Sequence, residues 1–358
     1  MSERPVHWRT VALIVASAFF MENLDATVIV IALPTIAESF GTDAVSLTIG
    51  VTGYLVALAA ILPASGWLAD RFGARNIFCA AIAVFTLASI LCGLSTNVVQ
   101  FAGARVLQGA SAALMSPVGR FAVLRSAQKS EIVRAVALIT WPGLIAPVIG
   151  PPLGGFIASY TSWRLIFFLN VPLGLIGMFL VYRYIPDFRA PRARRFDLPG
   201  FLLMAVSLGT LVVAIEIVAN DSRIWLLGAA LFGIGAITTF LALRHFARRS
   251  DPLLDLSILK VDTFAAATLW GGAMFRLTSG AMPYLLPLFF QIGFGLSAVS
   301  AGFLVLVYAA GNLAMKTVTT RVLRRFGYSR RSLTTLIPVP AAIAAPSPIW
   351  PVVFFDGI

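Results

Sequence analysis

Long apolar runs separated by short polar breaks dominate the chain. A helix that crosses a bilayer needs about 20 mainly apolar residues. Thr10–Leu33, Leu47–Leu68, Ile77–Leu94, Val98–Leu124, Val133–Ser159, Trp163–Tyr182, Leu198–Val218, Ile224–Leu243, Phe264–Phe290 and Ala298–Val318 fit that pattern. The pattern predicts an all-α, polytopic membrane protein. Leu333–Phe355 is a weaker eleventh candidate. It carries Pro338, Pro340, Pro346, Pro348 and Pro351, and a helix interior tolerates proline poorly. The basic start up to Arg9 could mimic a secretion signal. Its apolar run continues to Leu33 without a clear small-residue cleavage site, so it is assigned to the first helix.

The spans divide the chain into blocks. Six fill residues 1–185, and a polar linker rich in Arg and Pro occupies 186–197. Two more spans lie in 198–243, and a second polar linker occupies 244–262. Residues 263–358 hold helices nine and ten and the weaker eleventh. A faint repeat links Arg71-Phe-Gly73 after the second span with Arg325-Phe-Gly327 after the tenth. Secondary transporters often show such weak internal symmetry.

Composition narrows the class. A mean hydropathy of +0.91, with 59% hydrophobic and 12% charged residues, excludes an ordinary soluble domain, where about a quarter of residues are charged. A net charge of +12 could suggest nucleic acid, but its distribution argues otherwise. With a cytoplasmic N-terminus, every Lys and Arg except Arg105, Arg164, Arg223 and Arg276 falls in a cytoplasmic segment. That asymmetry is the positive-inside rule. It predicts a cytoplasmic (inner) membrane protein with no nucleic-acid partner, whose basic loops face anionic membrane lipid. Cys79 and Cys92 fall in one span, and His7 and His245 are assigned to flanking loops. Neither a disulfide, a metal site nor a cofactor is expected.

Several motifs occur in a fixed order. Gly66-Trp-Leu-Ala-Asp-Arg-Phe-Gly-Ala-Arg75 lies in a polar break between the second and third spans. Leu24-Asp-Ala-Thr27 and Ala32-Leu-Pro34 lie in the first span, with Val30 between them. Arg105-Val-Leu-Gln-Gly109 lies in the fourth, and the fifth ends in Gly150-Pro-Pro-Leu-Gly-Gly155. Trp163-Arg164, Phe167 and Asn170-Val-Pro172 open the sixth, and Pro252-Leu-Leu-Asp-Leu256 precedes the ninth. Together they resemble the major facilitator superfamily, specifically its fourteen-helix drug–proton antiporters of the EmrB/QacA type. Val30 departs from that pattern, which has Asn there. The resemblance implies a complete N-terminal six-helix half, two linker helices and an incomplete C-terminal half. It implies a small-molecule substrate exchanged for protons by alternating access.

Candidate chemistry starts from cost. A carboxylate near the bilayer centre costs about 2.5–3.5 kcal/mol on insertion scales, so Asp25 needs a partner or a cavity. Burial disfavours its charged form and a nearby cation favours it. A group between those effects can load and release a proton, and the resemblance assigns proton coupling to Asp25. Glu22, three residues earlier, can share its helix face. Arg105 stays charged and requires a carboxylate or carbonyls, with Asp25 or Glu22 as candidates. The resemblance makes Gly66, Asp70, Arg71, Gly73 and Arg75 a conformational latch, Asp70 meeting a helix N-terminus of the other half. It makes the fifth helix, with Gly143, Pro147, Gly150, Pro151, Gly154 and Gly155, the antiporter helix. Glu216, Arg276 and Gln291 are candidate cavity residues, and Phe20, Phe275, Phe289 and Phe290 could stack on a hydrophobic drug.

The resulting expectation is a proton-coupled exporter of hydrophobic or cationic compounds. The alternative is a C-terminally truncated, non-transporting remnant, because only two or three spans follow Leu243. A membrane-fusion or complementary partner chain is left open. The absence of a nucleophile–base pair or metal cluster argues against an enzyme, and the absence of a filter-like segment or ring of like charges argues against a channel.

Overall fold

The computed structural model describes residues 7–189, 195–220, 224–249, 251–261, 282, 285–286, 289–297, 300–308 and 311. Regular structure among the described residues is entirely helical. The elements are α1 (Trp8–Phe40), α2 (Ala44–Ile61), a 3₁₀ turn (Leu62–Ala64), α3 (Ser65–Phe72), α4 (Ala74–Leu94) and α5 (Val98–Ser126). There follow α6 (Ile132–Tyr160), α7 (Arg164–Phe168), α8 (Asn170–Tyr184), α9 (Leu198–Asn220) and α10 (Trp225–Arg248). Among the described residues, six stretches are long and apolar enough to cross a membrane: Trp8–Phe40, Ser46–Phe72, Ala74–Leu94, Arg164–Tyr184, Leu198–Val218 and Trp225–Arg248. A helix suits that solvent because it satisfies its backbone internally.

Local chemistry sets several ends. Asp43 caps α2 by accepting from the Ser46 N–H, and Asn97 caps α5 by accepting from the Gln100 N–H at 2.9 Å. Gly41, at φ 65°, closes α1 in the left-handed conformation, which glycine adopts without a Cβ penalty.

Helix α1 is the central element. It lies mainly against α6 and also touches α2, α5, α7 and α8, while α4 joins α5 to α8 and α2 rests on α5. Its length, 33 residues, corresponds to about 50 Å at 1.5 Å per residue. One buried apolar cluster includes Val11, Val15, Phe19, Phe78, Phe85 and Met115. A second includes Val28, Ile29, Leu33, Phe101 and Phe167. Along α1 the first cluster reaches Met21 and the second begins at Leu24, so Glu22 and Asp25 sit where the two meet.

Small residues bring these helices together. A Cβ on Gly109 of α5 would fall on the Tyr54 carbonyl of α2, and one on Gly154 of α6 would meet the Val28 side chain and backbone of α1. Helix backbones in lipid approach closely at such positions. Helices α9 and α10 form a pair, with α9 resting on α2.

The structure corrects two boundary expectations. The polar break at Gly66–Arg75 is mostly helical: α3 carries Gly66, Asp70 and Arg71, and the chain turns only at Gly73, φ 92°. His245 lies in the last turn of α10 rather than a loop. The sixth span stands as one stretch, Arg164–Tyr184, with Leu169 joining α7 to α8 in helical conformation. The chain divides into two compact units, Met1–Val305 and Leu306–Ile358. The described residues of the second, 306–308 and 311, are helical. The spans expected at Phe264–Phe290 and Ala298–Val318 lie largely outside the described residues, and Leu333–Phe355 lies wholly outside them.

Candidate functional site

Asp25 and Arg105 meet at the centre of the N-terminal bundle. The Arg105 Nη1 donates to Asp25 Oδ2 at 2.6 Å, and each side chain is 1% exposed. The same Nη1 donates to Gln108 Oε1 at 2.7 Å, one turn along α5. The other carboxylate oxygen, Oδ1, accepts from Asn170 Nδ2 of α8 at 2.9 Å and from Gln108 Nε2 at 3.2 Å. Ser89 of α4 accepts from Gln108 Nε2 at 2.7 Å and Asn170 Nδ2 at 3.2 Å. The Arg105 guanidinium also lies 4.5 Å from the centre of the Tyr54 ring of α2. Helices α1, α2, α4, α5 and α8 therefore all contribute to one buried polar centre.

Taking two ions out of water costs several kcal/mol each, and their attraction repays it only with good geometry and further hydrogen bonds. Here both Asp25 oxygens are satisfied by N–H donors, and the Arg105 cation has an aromatic face beside it. Desolvated cation–π contacts contribute about 2 kcal/mol. One group is left over: the buried Arg105 Nε lacks a hydrogen-bond partner. The guanidinium thus keeps donor capacity that the Asp25 pairing does not use.

Glu22 stands in different surroundings. Its Oε2 accepts from Ser116 Oγ at 3.0 Å, and Arg120, further along α5, is within electrostatic reach. Arg105 therefore pairs with Asp25 rather than Glu22. The two acids remain close enough to interact electrostatically, on one stretch of α1.

The latch candidates form a second group. A Cβ on Gly73 would collide with the Asp187 carboxylate of the following linker, and the Ala74 N–H donates to the Phe188 carbonyl at 3.0 Å. Arg75 lies over Tyr182, 5.5 Å from the ring centre. Asp70 is half-exposed and Arg71 exposed, while Gly66 has open space around it. The partner expected for Asp70, in the second half, is outside the described residues.

The glycines of α6 line its contact with α1. Gly143 approaches Asn23, Gly150 approaches Thr27, and Gly154 approaches Val28. Gly155 is buried, and Pro147 and Pro151 lie within the same continuous helix. Of the cavity candidates, Glu216 lies on α9, which rests on α10 and α2, and so is not gathered around Asp25. Gln291 lies in a π-helical turn, Phe289–Gly293, and Arg276 is outside the described residues. Phe20 lies partly buried beside the second apolar cluster, the Phe289 and Phe290 rings lie 5.9 Å apart and tilted in the π-helical segment, and Phe275 is outside the described residues.

Ser89, Gln108, Asn170 and Tyr54 were not predicted as site residues. Gln108 and Asn170 stood inside quoted motifs. A usable signal was the amide in mid-membrane sequence, since an unpaired amide there is costly.

The Major Facilitator Superfamily model matches residues 15–355. The chain belongs to that family. It is a multi-pass membrane transporter with a small-molecule substrate and not an enzyme. It is 39% identical over 338 residues to the MdtD proteins of Salmonella heidelberg (strain SL476) and Salmonella newport (strain SL254), which are named for multidrug resistance. Those alignments cover 94% of this chain and 71% of each relative. The fold is similar to a D-xylose–proton symporter, with a TM-score of 0.57 at 16% identity, covering 89% of this chain and 69% of that one. It is also similar to the POT family transporter PepTSo, with a TM-score of 0.59 at 14% identity, covering 92% of this chain and 72% of that one.

Just ahead of α9, Asp197 organises the base of the α9–α10 pair. His245 Nε2 donates to its Oδ1 at 2.8 Å, Arg249 Nη1 lies 3.2 Å from the same oxygen, and the Gly200 and Leu253 N–H groups also donate. Burial disfavours the charged form of Asp197. The hydrogen bonds from His245, Gly200 and Leu253, and the charge of His245, outweigh it and hold the carboxyl below its ordinary value.

Proposed function

We propose that this chain is a proton-coupled exporter of small hydrophobic or cationic compounds, working by alternating access in the cytoplasmic membrane with its N-terminus in the cytoplasm. The observation that carries this reading is the buried Asp25–Arg105 pair, shared among five helices. Protonation of Asp25 cancels the carboxylate charge and weakens its hold on Arg105. The freed guanidinium has an unused Nε donor and can find another partner. Because the contributing helices belong to one bundle, that exchange changes how α1, α5 and α8 are held together. A proton then biases the two access states by its different affinity for each.

The export direction and the drug-like substrate class rest on similarity to relatives named for multidrug resistance. Acids at Glu22 and Asp25 suit a cationic substrate. Gly73 and Asp70 serve in the latch, and α6 serves as the antiporter helix that slides or tilts on α1 across its glycines. The excess of cytoplasmic Arg and Lys supports the orientation.

The test is uptake of a fluorescent lipophilic cation into everted membrane vesicles energised by respiration. Uptake is expected from the wild type, its loss when an uncoupler is added, and its loss in Asp25→Asn at equal membrane abundance. Uptake in Asp25→Asn equal to wild type overturns the proton-site assignment.

A further inference from the structure

We infer that Asn170 and Ser89 form a reversible donor–acceptor pair that sets how readily Asp25 takes up a proton. This rests on the reading of Asp25 as the proton site and identifies two positioning residues for it. Four hydrogen bonds carry the argument. The Ser89 hydroxyl donates its single proton to the Phe85 carbonyl at 2.9 Å. Its oxygen can therefore only accept from the two amides that face it, and Asn170 Nδ2 is one of them at 3.2 Å. That orientation obliges Asn170 to present the same NH₂ group to Asp25 Oδ1 at 2.9 Å. Ser89 thus holds Asn170 in the orientation that favours the carboxylate anion.

The second amide is fixed by other means. Gln108 turns its Oε1 to Arg105, and a guanidinium has no acceptor to offer in exchange. Gln108 must keep its NH₂ toward Asp25 whatever the proton state. Only Asn170 is free to reverse. When Asp25 Oδ1 gains a proton from the aqueous side, its new O–H needs an acceptor. Asn170 supplies one by turning its Oδ1 inward, and the Ser89 hydroxyl then swings from Phe85 to donate to that same Oδ1. The pair has two self-consistent arrangements, one for each proton state, and joins α1 to α4 and α8.

The titratable groups around Asp25, among the described residues, are Glu22 on its own helix, Tyr54 on α2, Cys92 on α4 and Arg105 on α5. Neither Asn170 nor Ser89 titrates, so either can be changed without adding or removing a charge.

The experiment is a pH titration of purified full-length protein in lipid nanodiscs. The protonated carboxyl band is followed by infrared difference spectroscopy, and the Asp25 band is the one missing in Asp25→Asn. Ser89→Cys keeps the side-chain shape with a slightly larger atom and replaces the hydroxyl acceptor by a weak one. Asn170→Leu removes the amide donor. Hydrogen bonds to charged groups are strong enough that each variant should raise the Asp25 midpoint by about one pH unit. If the band is lost in Asp25→Asn but its midpoint is unmoved in both Ser89→Cys and Asn170→Leu, this inference fails and the proton-site reading stands. If no titrating band disappears in Asp25→Asn, the proton-site reading fails, and this inference with it. Should Asn170→Leu not fold, Ser89→Cys alone decides.

Discussion

Removing Arg105 and removing Asp25 should not carry independent costs. Arg105→Leu leaves the Asp25 carboxylate buried with only the two amide donors, Gln108 and Asn170. Breaking a buried pair by deleting one partner costs about 3–5 kcal/mol. The lost contact with Tyr54 adds to this, while the remaining amide donors reduce it, so about 3 kcal/mol is expected. Asp25→Asn leaves the guanidinium buried without its counter-charge and should cost a similar amount. The double variant removes both charges, leaving no uncompensated ion. Its cost should be close to that of either single variant, giving a coupling energy of about 2–3 kcal/mol. The assay is reversible denaturant unfolding of the four proteins in detergent micelles at neutral pH, arranged as a double-mutant cycle. If the two single costs simply add in the double variant, the pair is not an energetic unit and the reasoning is refuted.

Three further perturbations test other parts of the structure. Gly109→Ala puts a Cβ onto the Tyr54 carbonyl, which cannot move without shifting α2, so transport should fall at least about tenfold, one decade being about 1.4 kcal/mol, as measured in vesicles at matched abundance. Gly73→Ala forces a side chain into a positive φ and against Asp187. It should lower unfolding stability by about 1–3 kcal/mol, and adding Asp187→Ala should recover the steric part only. Asp197→Ala removes a helix-capping carboxylate and should cost about 1–2 kcal/mol at neutral pH. Because the folded carboxyl is held below its ordinary value of 3.8, its contribution is fully present above that value and is lost as pH falls through the lower folded one. The stability gap between wild type and Asp197→Ala, followed by thermal unfolding, should therefore close in strong acid and persist at neutral pH.

The helical architecture was legible because lipid leaves little choice: apolar runs of spanning length must become helices. Asp25 and Arg105 were legible for the same reason, since a lone charge at that depth is too costly to lack a partner. Their shared surroundings were not. Serine and threonine in a helix can satisfy themselves on the preceding turn, as Thr86 does on Ile82, so Ser89 on the same helix carries no signal until its neighbours are known. Asn170 looked like part of a helix start, and only the packing of α8 on α1 and α4 brings its amide to Asp25 and Ser89. Polarity also misled at two edges. The charges of Gly66–Arg75 suggested a loop although all but Gly73 are accommodated on helices, and Arg244 and Arg248 hid the last turn of α10. The partner of Glu22 depended on which α5 residue faces it across the bundle, and spacing along one helix does not determine that.

The central claim is that Asp25 couples proton movement to transport. The most direct measurement is substrate-driven proton flux in liposomes containing the purified protein and a trapped pH indicator. A cationic substrate gradient imposed on wild-type protein should drive a proton flux in the opposite direction. Asp25→Asn should abolish the proton flux while the protein remains folded in the bilayer. Proton flux persisting at the wild-type rate in Asp25→Asn would contradict the account.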